Sequence, residues 1–394
     1  MKSKFDIIIS GGGIPALLLA LHAAVRNYTI ALIEPFPPED VLPPADGRTA
    51  AIMQEGMALI NELPIWKEIQ KHCGTLKTLC IIDRGEAKSF NASELGFEAY
   101  GYNVPLPLFR KTLWGLADKD KNITLLQDKI NSHQSGPAHT EAALSSGHKL
   151  EAALLVAADG RKSTLRENAG IKTLNRDYHQ SALTCLLKHS KPHNDTSTEF
   201  HRTGGPFTLV PLPNNHSSLV WMMPHDEPEK IKQARKPDIE KTIQILSENI
   251  LGAIELVSGT SLWPIVTMHT NTLIAPRMVL LAETAHVVPP TGAQGLNISL
   301  ADVIALLTCL DEAKETGSDI GAKAVLLKYE RRRLPDIKTR VLGTQGLNEL
   351  VKTKNSLLQN IRRAGLSFTH GMEPIRRLAM KTGLRTKNTA INSQ

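Results

Sequence analysis

Phe5-Asp6-Ile7-Ile8-Ile9-Ser10-Gly11-Gly12-Gly13-Ile14-Pro15-Ala16 is the stretch that decides the fold. A short apolar run enters a glycine cluster, and an Ala/Leu-rich segment from Ile14 to Arg26 leaves it, which predicts a buried strand, a tight turn and a helix. A second apolar run, Tyr28 to Ile33, ends at Glu34 and completes a βαβ unit. Within it, Gly11, Gly13 and Ala16 satisfy G-x-G-x-x-A. Gly11 permits the turn, Gly13 lets backbone approach a pyrophosphate, and Ala16 allows helix and sheet to pack closely. The helix start offers unpaired N–H groups and a positive dipole end to the phosphates. Glu34, 18 residues past Ala16, is placed to accept hydrogen bonds from a ribose. This unit alone does not separate NAD from FAD.

Outward from that unit, the segment PFPPEDVLPPADG has five prolines and reads as a loop. Arg48 to Leu63 is expected to be helical and Thr75 to Asp83 a strand. A helix from Leu108 to Lys119 precedes a strand near Thr124, and the polar stretch 131–148 reads as a surface hairpin or loop. Ala152 to Ala158 is a buried strand ending in Asp159-Gly160. Strands at Ala182 to Lys188, Phe207 to Leu212 and Ser217 to Met223 surround one charged helix near 229–250, marking a second domain. A strand from Arg277 to Ala282 leads to a helix from Leu296 to Leu310, and helices dominate thereafter. The expected class is α/β: a Rossmann-like nucleotide-binding domain interleaved with a mixed-sheet α+β domain and a helical C-terminus. The expected ranges are 1–75, 101–177 and 270–345 for the first, 76–100 and 178–269 for the second, and 346–394 for a basic helical segment.

Composition narrows the class. The chain has 394 residues, of which 41% are hydrophobic and 22% charged, so it buries a large core and is not dominated by disorder. No run approaches the roughly 18 apolar residues of a membrane-spanning helix. Four scattered cysteines without a C-x-x-C pair fit neither a disulfide framework nor a zinc site, which predicts a reducing, cytoplasmic setting. The opening residues MKSKFDIIIS leave no room for a signal peptide. His189 and His193 have a metal-pair spacing, but Pro192 spoils the helix and no carboxylate follows, so no metal is expected. G-x-S-x-G, H-E-x-x-H and the P-loop pattern are absent.

The net charge of +7 is uneven: from Val351 on, nine Lys/Arg face one acid, Glu373, while the rest of the chain is near neutral. With Leu357, Leu358, Ile361, Ile375, Leu378 and Ala379 at helical spacing, that segment predicts either a solvated helical face or a peripheral contact with the inner face of a membrane. Nucleic acid is not an expected partner, because Phe368 is the segment's one aromatic and gives no stacking platform.

From Val279 the chain reads VLLAETAHVVPPTGAQGLNISLADVIALL. This resembles the flavin-contacting motif of the single-component flavoprotein aromatic monooxygenases of the p-hydroxybenzoate hydroxylase type, and most closely that of the ubiquinone-biosynthesis FAD-dependent hydroxylases. Asp159 to Arg166, DGRKSTLR, resembles the D-G-x-x-S-x-x-R motif of the same superfamily. Asp46-Gly47-Arg48 with Ala51, Leu108-Phe109-Arg110, Gly205-Pro206 with Pro211-Leu212, and Tyr329 with Arg333 extend the resemblance in order over nearly the whole chain.

The resemblance implies an FAD-dependent, NAD(P)H-consuming hydroxylase that acts on the ring of a polyprenylated ubiquinone precursor through a flavin C4a-hydroperoxide, with NAD(P)H as a transient reductant. It implies that Gly11, Gly13 and Ala16 hold the pyrophosphate, Glu34 the adenosine ribose, and Arg48 and Arg110 the pyrophosphate and ribityl side. Asp159 would support the pyrophosphate side, Glu283 the ribityl chain, and Pro290, Gly292, Gln294, Gly295, Leu296 and Asn297 the isoalloxazine. The small residues Thr291 to Gly295 would present N–H groups at a helix start to the negative charge of reduced flavin. Ala282-Glu283 stands where the superfamily usually has Gly-Asp, and Ser299 where it usually has glycine. Asp302 reads as a structural helix residue and His286 as a local packing or hydrogen-bonding one. Pro211, Leu212, Trp221 and Met223 are the expected lining for a hydrophobic aromatic substrate, with O2 as co-substrate. Two alternatives remain: an FAD monooxygenase of another aromatic or lipid, and a catalytically weak flavin-binding subunit of a quinone-synthesis complex.

Overall fold

The opening βαβ unit is present in the computed structural model, which describes residues 3–38, 47–353 and 355–384. Strand Lys4–Ser10 is central to an eight-stranded sheet, and Ile7, Ile8 and Ile9 are all fully buried, so both faces of the strand are covered and its apolar run is continuous. Parallel neighbours flank it: Ile30–Ile33, then Ile123–Leu126, on one side, and Lys149–Ala157, then Met278–Leu280, on the other. The polar stretch expected as a hairpin or loop forms strands Ile130–Ser135 and Thr140–Leu144, the latter antiparallel to Lys149–Ala157. Helices Ile14–Val25, Leu106–Asp118 and Gln294–Glu315 contribute to the core built on this sheet.

A nine-stranded sheet runs in the order His286–Val287, Ser261–Thr270, Thr173–His189, His216–Pro224, Gly205–Leu212, Thr196–Arg202, Thr78–Asp83, Glu86–Asn91, with Ile254–Leu256 paired to Thr173–His189. Between the two lies a three-stranded sheet of Thr49–Met53, Gly101–Pro105 and Gly74–Leu76. Helices Lys323–Lys352, Ser356–Gly371 and Glu373–Leu384 follow.

Three local expectations change. The segment expected as one helix from Arg48 begins as strand Thr49–Met53 and becomes the helix Gln54–Asn61. Its backbone pairs with Gly101–Pro105, and Asn297 bonds both Ala51 O and Met53 N, so distant partners override a helix-compatible local sequence. The expected strand Thr75–Asp83 breaks at Lys77, whose N–H donates to Asp195 O while the chain passes from the small sheet to the large one. The expected helix at 229–250 is two, Pro228–Gln233 and Lys236–Leu246; Ala234 and Arg235 are extended, ahead of Pro237.

Candidate functional site

Four strands deliver the singled-out residues to one edge. Ser10 is in register with Ala157 and Ile33, and Ala157 with Leu280, all in parallel strands. Glu34, Gly11, Asp159 and Glu283 therefore leave the carboxyl ends of four adjacent strands in a row, an edge where open α/β sheets bind ligands. At about 4.8 Å per strand, the row spans about 14 Å, suited to an elongated molecule.

The three glycines have different jobs. Gly11 has φ +110°, and a Cβ there would lie 2.2 Å from Ala158 O, so the turn admits only glycine. A Cβ on Gly12 would overlap the Glu34 side chain at 2.8 Å. Gly13 is exposed, and the nearest atom to a Cβ there is Pro15 Cδ at 3.9 Å. It caps helix Ile14–Val25 without a side-chain hydrogen bond, leaving the first N–H groups facing that space. Ala16 is buried on the first turn.

Glu34 accepts from Gly12 N (2.5 Å) and Phe36 N (2.9 Å), one bond to each carboxylate oxygen. Arg110 braces the turn, donating from Nε to Gly12 O (2.8 Å) and from Nη2 to Phe36 O (2.6 Å), with Glu34 3.6 Å from Nη2. Arg48 lies elsewhere: its guanidinium sits 5.0 Å from the ring centroid of Trp263 in the large sheet. Asp46, the first residue of its motif, is outside the described residues.

The D-G-x-x-S-x-x-R segment is a self-locking loop. Asp159 Oδ1 accepts from Ser163 Oγ (2.6 Å), and Ser163 Oγ accepts from Arg166 N (3.0 Å), capping a short helix. The buried Arg166 donates to Thr284 O (3.0 Å), and Gly160 N donates to Thr284 Oγ1 (3.0 Å). These contacts fasten the motif to the turn holding the exposed Glu283.

That turn carries strain. Ala282 sits at φ +58°, where an L-residue is disfavoured by about 1–2 kcal/mol, which gives a backbone reason for glycine in the resembling motif. Ser299 is buried on helix Gln294–Glu315 and donates to Gly295 O at 3.1 Å, so the hydroxyl is satisfied locally.

The next turn enters the helix through Gly292 and Ala293, with φ +63° and +55°. Ala293 provides no side-chain cap, so the helix start is open. Asn297 fastens it to the small sheet, accepting from Met53 N (2.9 Å) and donating to Ala51 O (2.8 Å) and Ala293 O (2.7 Å). Gln294 is held by Arg340, Leu296 is half-buried, and Pro290 and Gly295 are exposed. Thr291 is 1% exposed and its Oγ1 has no hydrogen-bond partner. A buried hydroxyl is usually paired, so this orphan marks a place for a polar ligand group. Two uncapped helix starts, an open space at Gly13 and the orphan at Thr291 fit a molecule with a polyanionic middle and a polar ring end, as in FAD.

Against the Ala282 turn lies a buried cluster whose components carry separate signals in the sequence. Asp302 is fully buried between His286 Nε2 (2.6 Å) and Arg333 Nε (2.7 Å) and also accepts from Ala282 N (3.1 Å). Burial alone would raise its carboxyl, but the charges of His286 and Arg333 and their hydrogen bonds outweigh that and hold it below the usual range. An ionised carboxylate only accepts, so His286 Nε2 is the donor.

The expected substrate lining does not gather on one face. Trp221 and Met223 pack with Phe200, Phe207, Ile239 and Ile243, on the side of the large sheet covered by helix Lys236–Leu246. Pro211 falls on that face by strand alternation, since it opposes Ser217 two places from the Leu209–Leu219 pair. Leu212 is on the other face and buried. Val210 and Ser218 oppose each other on that other face; Val210 packs with Met53 and Ala293, and Ser218 Oγ accepts from Thr49 Oγ1 at 2.7 Å. The side turned to the Ala293 turn is thus the one that the Trp221 and Met223 expectation missed.

The family model described as FAD binding domain matches residues 4–343. The chain is 27% identical to the ubiquinone hydroxylase UbiL of Rhodospirillum rubrum, over 97% of this chain and 90% of that one. It is 26% identical to the 3-demethoxyubiquinol 3-hydroxylase of Escherichia coli, over 84% and 86%. Among solved structures, p-nitrophenol 4-monooxygenase PnpA from Pseudomonas putida superposes with a TM-score of 0.79 at 15% identity, covering 98% of this chain and all of the other.

Proposed function

The chain belongs to the FAD binding domain family, and from that premise we propose that it is an FAD-dependent, NAD(P)H-consuming monooxygenase that hydroxylates the ring of a polyprenylated ubiquinone precursor. The observation that carries the cofactor assignment is the row of Glu34, Gly11, Asp159 and Glu283 at one sheet edge. The relatives named as ubiquinone hydroxylases support the substrate class. Bound FAD would supply hydride acceptance from NAD(P)H and O2 activation, so that one oxygen atom enters an electron-rich ring and the other leaves as water.

The protein's part is to bind, orient and exclude water. The open helix start at Gly13, with Gly11 and Ala16 setting its approach, would take the pyrophosphate. Each Glu34 oxygen accepts one backbone bond and keeps a lone pair for a ribose hydroxyl. Arg110 positions that turn; Arg48, over Trp263, would reach the cofactor from the large-sheet side. Asp159 would hold the turn that presents Glu283 to the ribityl chain. Pro290, Gly292, Gln294, Gly295, Leu296 and Asn297 would border the ring, with their N–H groups and Thr291 Oγ1 near its polar edge. The ranges 1–75, 101–177 and 270–345 would form the cofactor part, and 76–100 with 178–269 the substrate part.

The test is reconstitution of the purified protein with FAD, followed by NAD(P)H oxidation with and without a prenylated phenol. Flavin absorbance with substrate-stimulated oxidation and a hydroxylated product supports the reading; a protein that cannot retain flavin sinks it. Ala282 at φ +58° keeps a second reading alive, that of a flavin-binding subunit of a quinone-synthesis complex with weak turnover. Flavin binding without substrate-stimulated oxidation would select it. Among the described residues, no helix is long and apolar enough to cross a membrane. Contact with a membrane's inner surface would therefore be peripheral.

A further inference from the structure

Helix Ser356–Gly371 is mounted with its apolar side outward. At 100° per residue, Leu357, Ile361, Ala364 and Phe368 form one stripe, and the three large side chains are 65%, 55% and 58% exposed. The opposite, polar side faces the protein. Arg362 holds the buried Asp83 with two bonds of 2.7 and 2.9 Å, Arg363 pairs with Glu86 at 2.6 Å, and His370 Nε2 lies 3.1 Å from Ser89 O. A surface helix of a globular protein ordinarily does the reverse. The ion pairs fix this orientation, so the stripe cannot roll inward. Helix Glu373–Leu384 repeats the arrangement: Arg376 binds Glu94 at 2.7 Å, Met380 is buried, and Met372 and Leu378 are exposed.

We propose that the outward face of these two helices is a docking surface for an anionic lipid bilayer. Charge selects that occupant. By sequence the segment from Val351 has nine Lys/Arg against one acid; Asp83, Glu86, Glu94 and Glu349 each pair with one of these bases, which leaves the segment an excess of four. A basic helix pair with an outward apolar stripe matches the interface of an acidic leaflet. A second copy of the chain would bring the same excess against itself. The inner side of the pair also leads somewhere: Leu366 and Met380 share one apolar cluster with Val210, Met53 and Ala293. On the hydroxylase reading, on which this last step rests, that cluster joins the lipid-facing helix pair to residues packed beside the Ala293 turn.

The experiment uses the FAD-loaded full chain, sedimented with vesicles of phosphatidylglycerol and phosphatidylcholine or of phosphatidylcholine alone, together with the double variant I361E/F368E. The protein should pellet with the acidic vesicles, and the variant should lose at least tenfold in bound fraction with its flavin spectrum and melting temperature unchanged, since both side chains point outward. Equal pelleting of variant and parent overturns the proposal, as does failure of the parent to bind acidic vesicles. A dimer in sedimentation equilibrium that the variant dissociates, without vesicle binding, overturns it in favour of a second copy. Vesicle binding requires no turnover, so a protein that pellets but shows no substrate-stimulated NAD(P)H oxidation keeps this surface and loses the hydroxylase reading.

Discussion

His286 Nε2 lies 2.6 Å from Asp302 Oδ2, with both side chains sealed from solvent and Arg333 bound to the other carboxylate oxygen. The arrangement ties the strand His286–Val287, the helix Gln294–Glu315 and the helix Lys323–Lys352 to one charge that also accepts from Ala282 N. Removing the carboxylate would leave Arg333 buried beside Asp336 alone. Asp302→Ala is expected to destabilise the protein by roughly 3–5 kcal/mol, the usual effect of stranding a buried partner, measured by urea denaturation. A loss below about 1 kcal/mol would show that the cluster is not what holds the turn.

Gly11 and Gly13 should respond oppositely to the same methyl group. Gly11→Ala meets Ala158 O at 2.2 Å and adds positive-φ strain, so a loss on the order of 3 kcal/mol is expected. Gly13→Ala points into open space at φ −72° and should fold within about 1 kcal/mol of the parent while binding FAD more weakly. Equal FAD affinity in parent and Gly13→Ala would remove the pyrophosphate from that helix start.

Ala282→Gly should relieve the left-handed strain at φ +58°, raising stability by up to about 1 kcal/mol after glycine's larger unfolded-state entropy is deducted. Thermal unfolding of the apoprotein reads this directly. If the strained turn also limits flavin binding, the same variant binds FAD more tightly.

Thr291→Val discriminates ligand from packing. The substitution removes an unpaired buried hydroxyl at constant shape, so the apoprotein should be unchanged or more stable by about 1 kcal/mol. The FAD complex should be weaker. Destabilised apoprotein with unaltered FAD affinity would mean that the hydroxyl serves the protein instead.

The mount of helix Ser356–Gly371 should weaken on the acid side. Burial would raise Asp83, yet His201 and Arg362 pull it well below the usual carboxylate range. Its contribution is therefore present above the unfolded value near 4 and fades as pH falls toward the depressed folded value. Burial and the Arg362 charge would lower His201, but Asp83 and Glu199 raise it, so its contribution to the fold, as distinct from the Arg362 mount, is full below about 6.5 and fades as pH rises through the raised folded value. Its Nδ1 is 3.7 Å from Asp83 Oδ2, an ion contact without a hydrogen bond, so the Arg362 pair carries more. Protection of the amides of residues 356–371, relative to their intrinsic exchange at each pH, should be full above about pH 4 and fall as pH drops below it. Asp83→Asn should speed exchange there, and a flat profile in the parent would refute the latch.

The edge proposed for the cofactor was legible as a group of candidate residues because its signals are local. Glycine tolerance, helix-start chemistry and an acid at a strand end are properties of a few consecutive residues, and Gly11 to Ala16 and Glu34 stand together as that logic requires. The strand Thr49–Met53 was not legible, since its backbone is claimed by Gly101–Pro105 and by Asn297, over two hundred residues away. Thr291 gave no sequence signal beyond its place in a loop of small residues; only enclosure without a partner singles it out.

By itself, the sequence determined the βαβ opening, the order of motifs along the chain and, through the family they match, the cofactor. Tertiary structure decided which face of a strand is which. Alternation with a period of two separates Trp221 and Met223 from Val220 and Met222, but it cannot say which side helix Lys236–Leu246 will cover. Likewise, the apolar spacing of 357–368 defined a stripe, while Asp83 and Glu86, nearly three hundred residues earlier, turned it outward. Periodicity depends on neighbours along the chain, whereas the choice between two faces depends on which distant surface offers apolar burial and which offers countercharge.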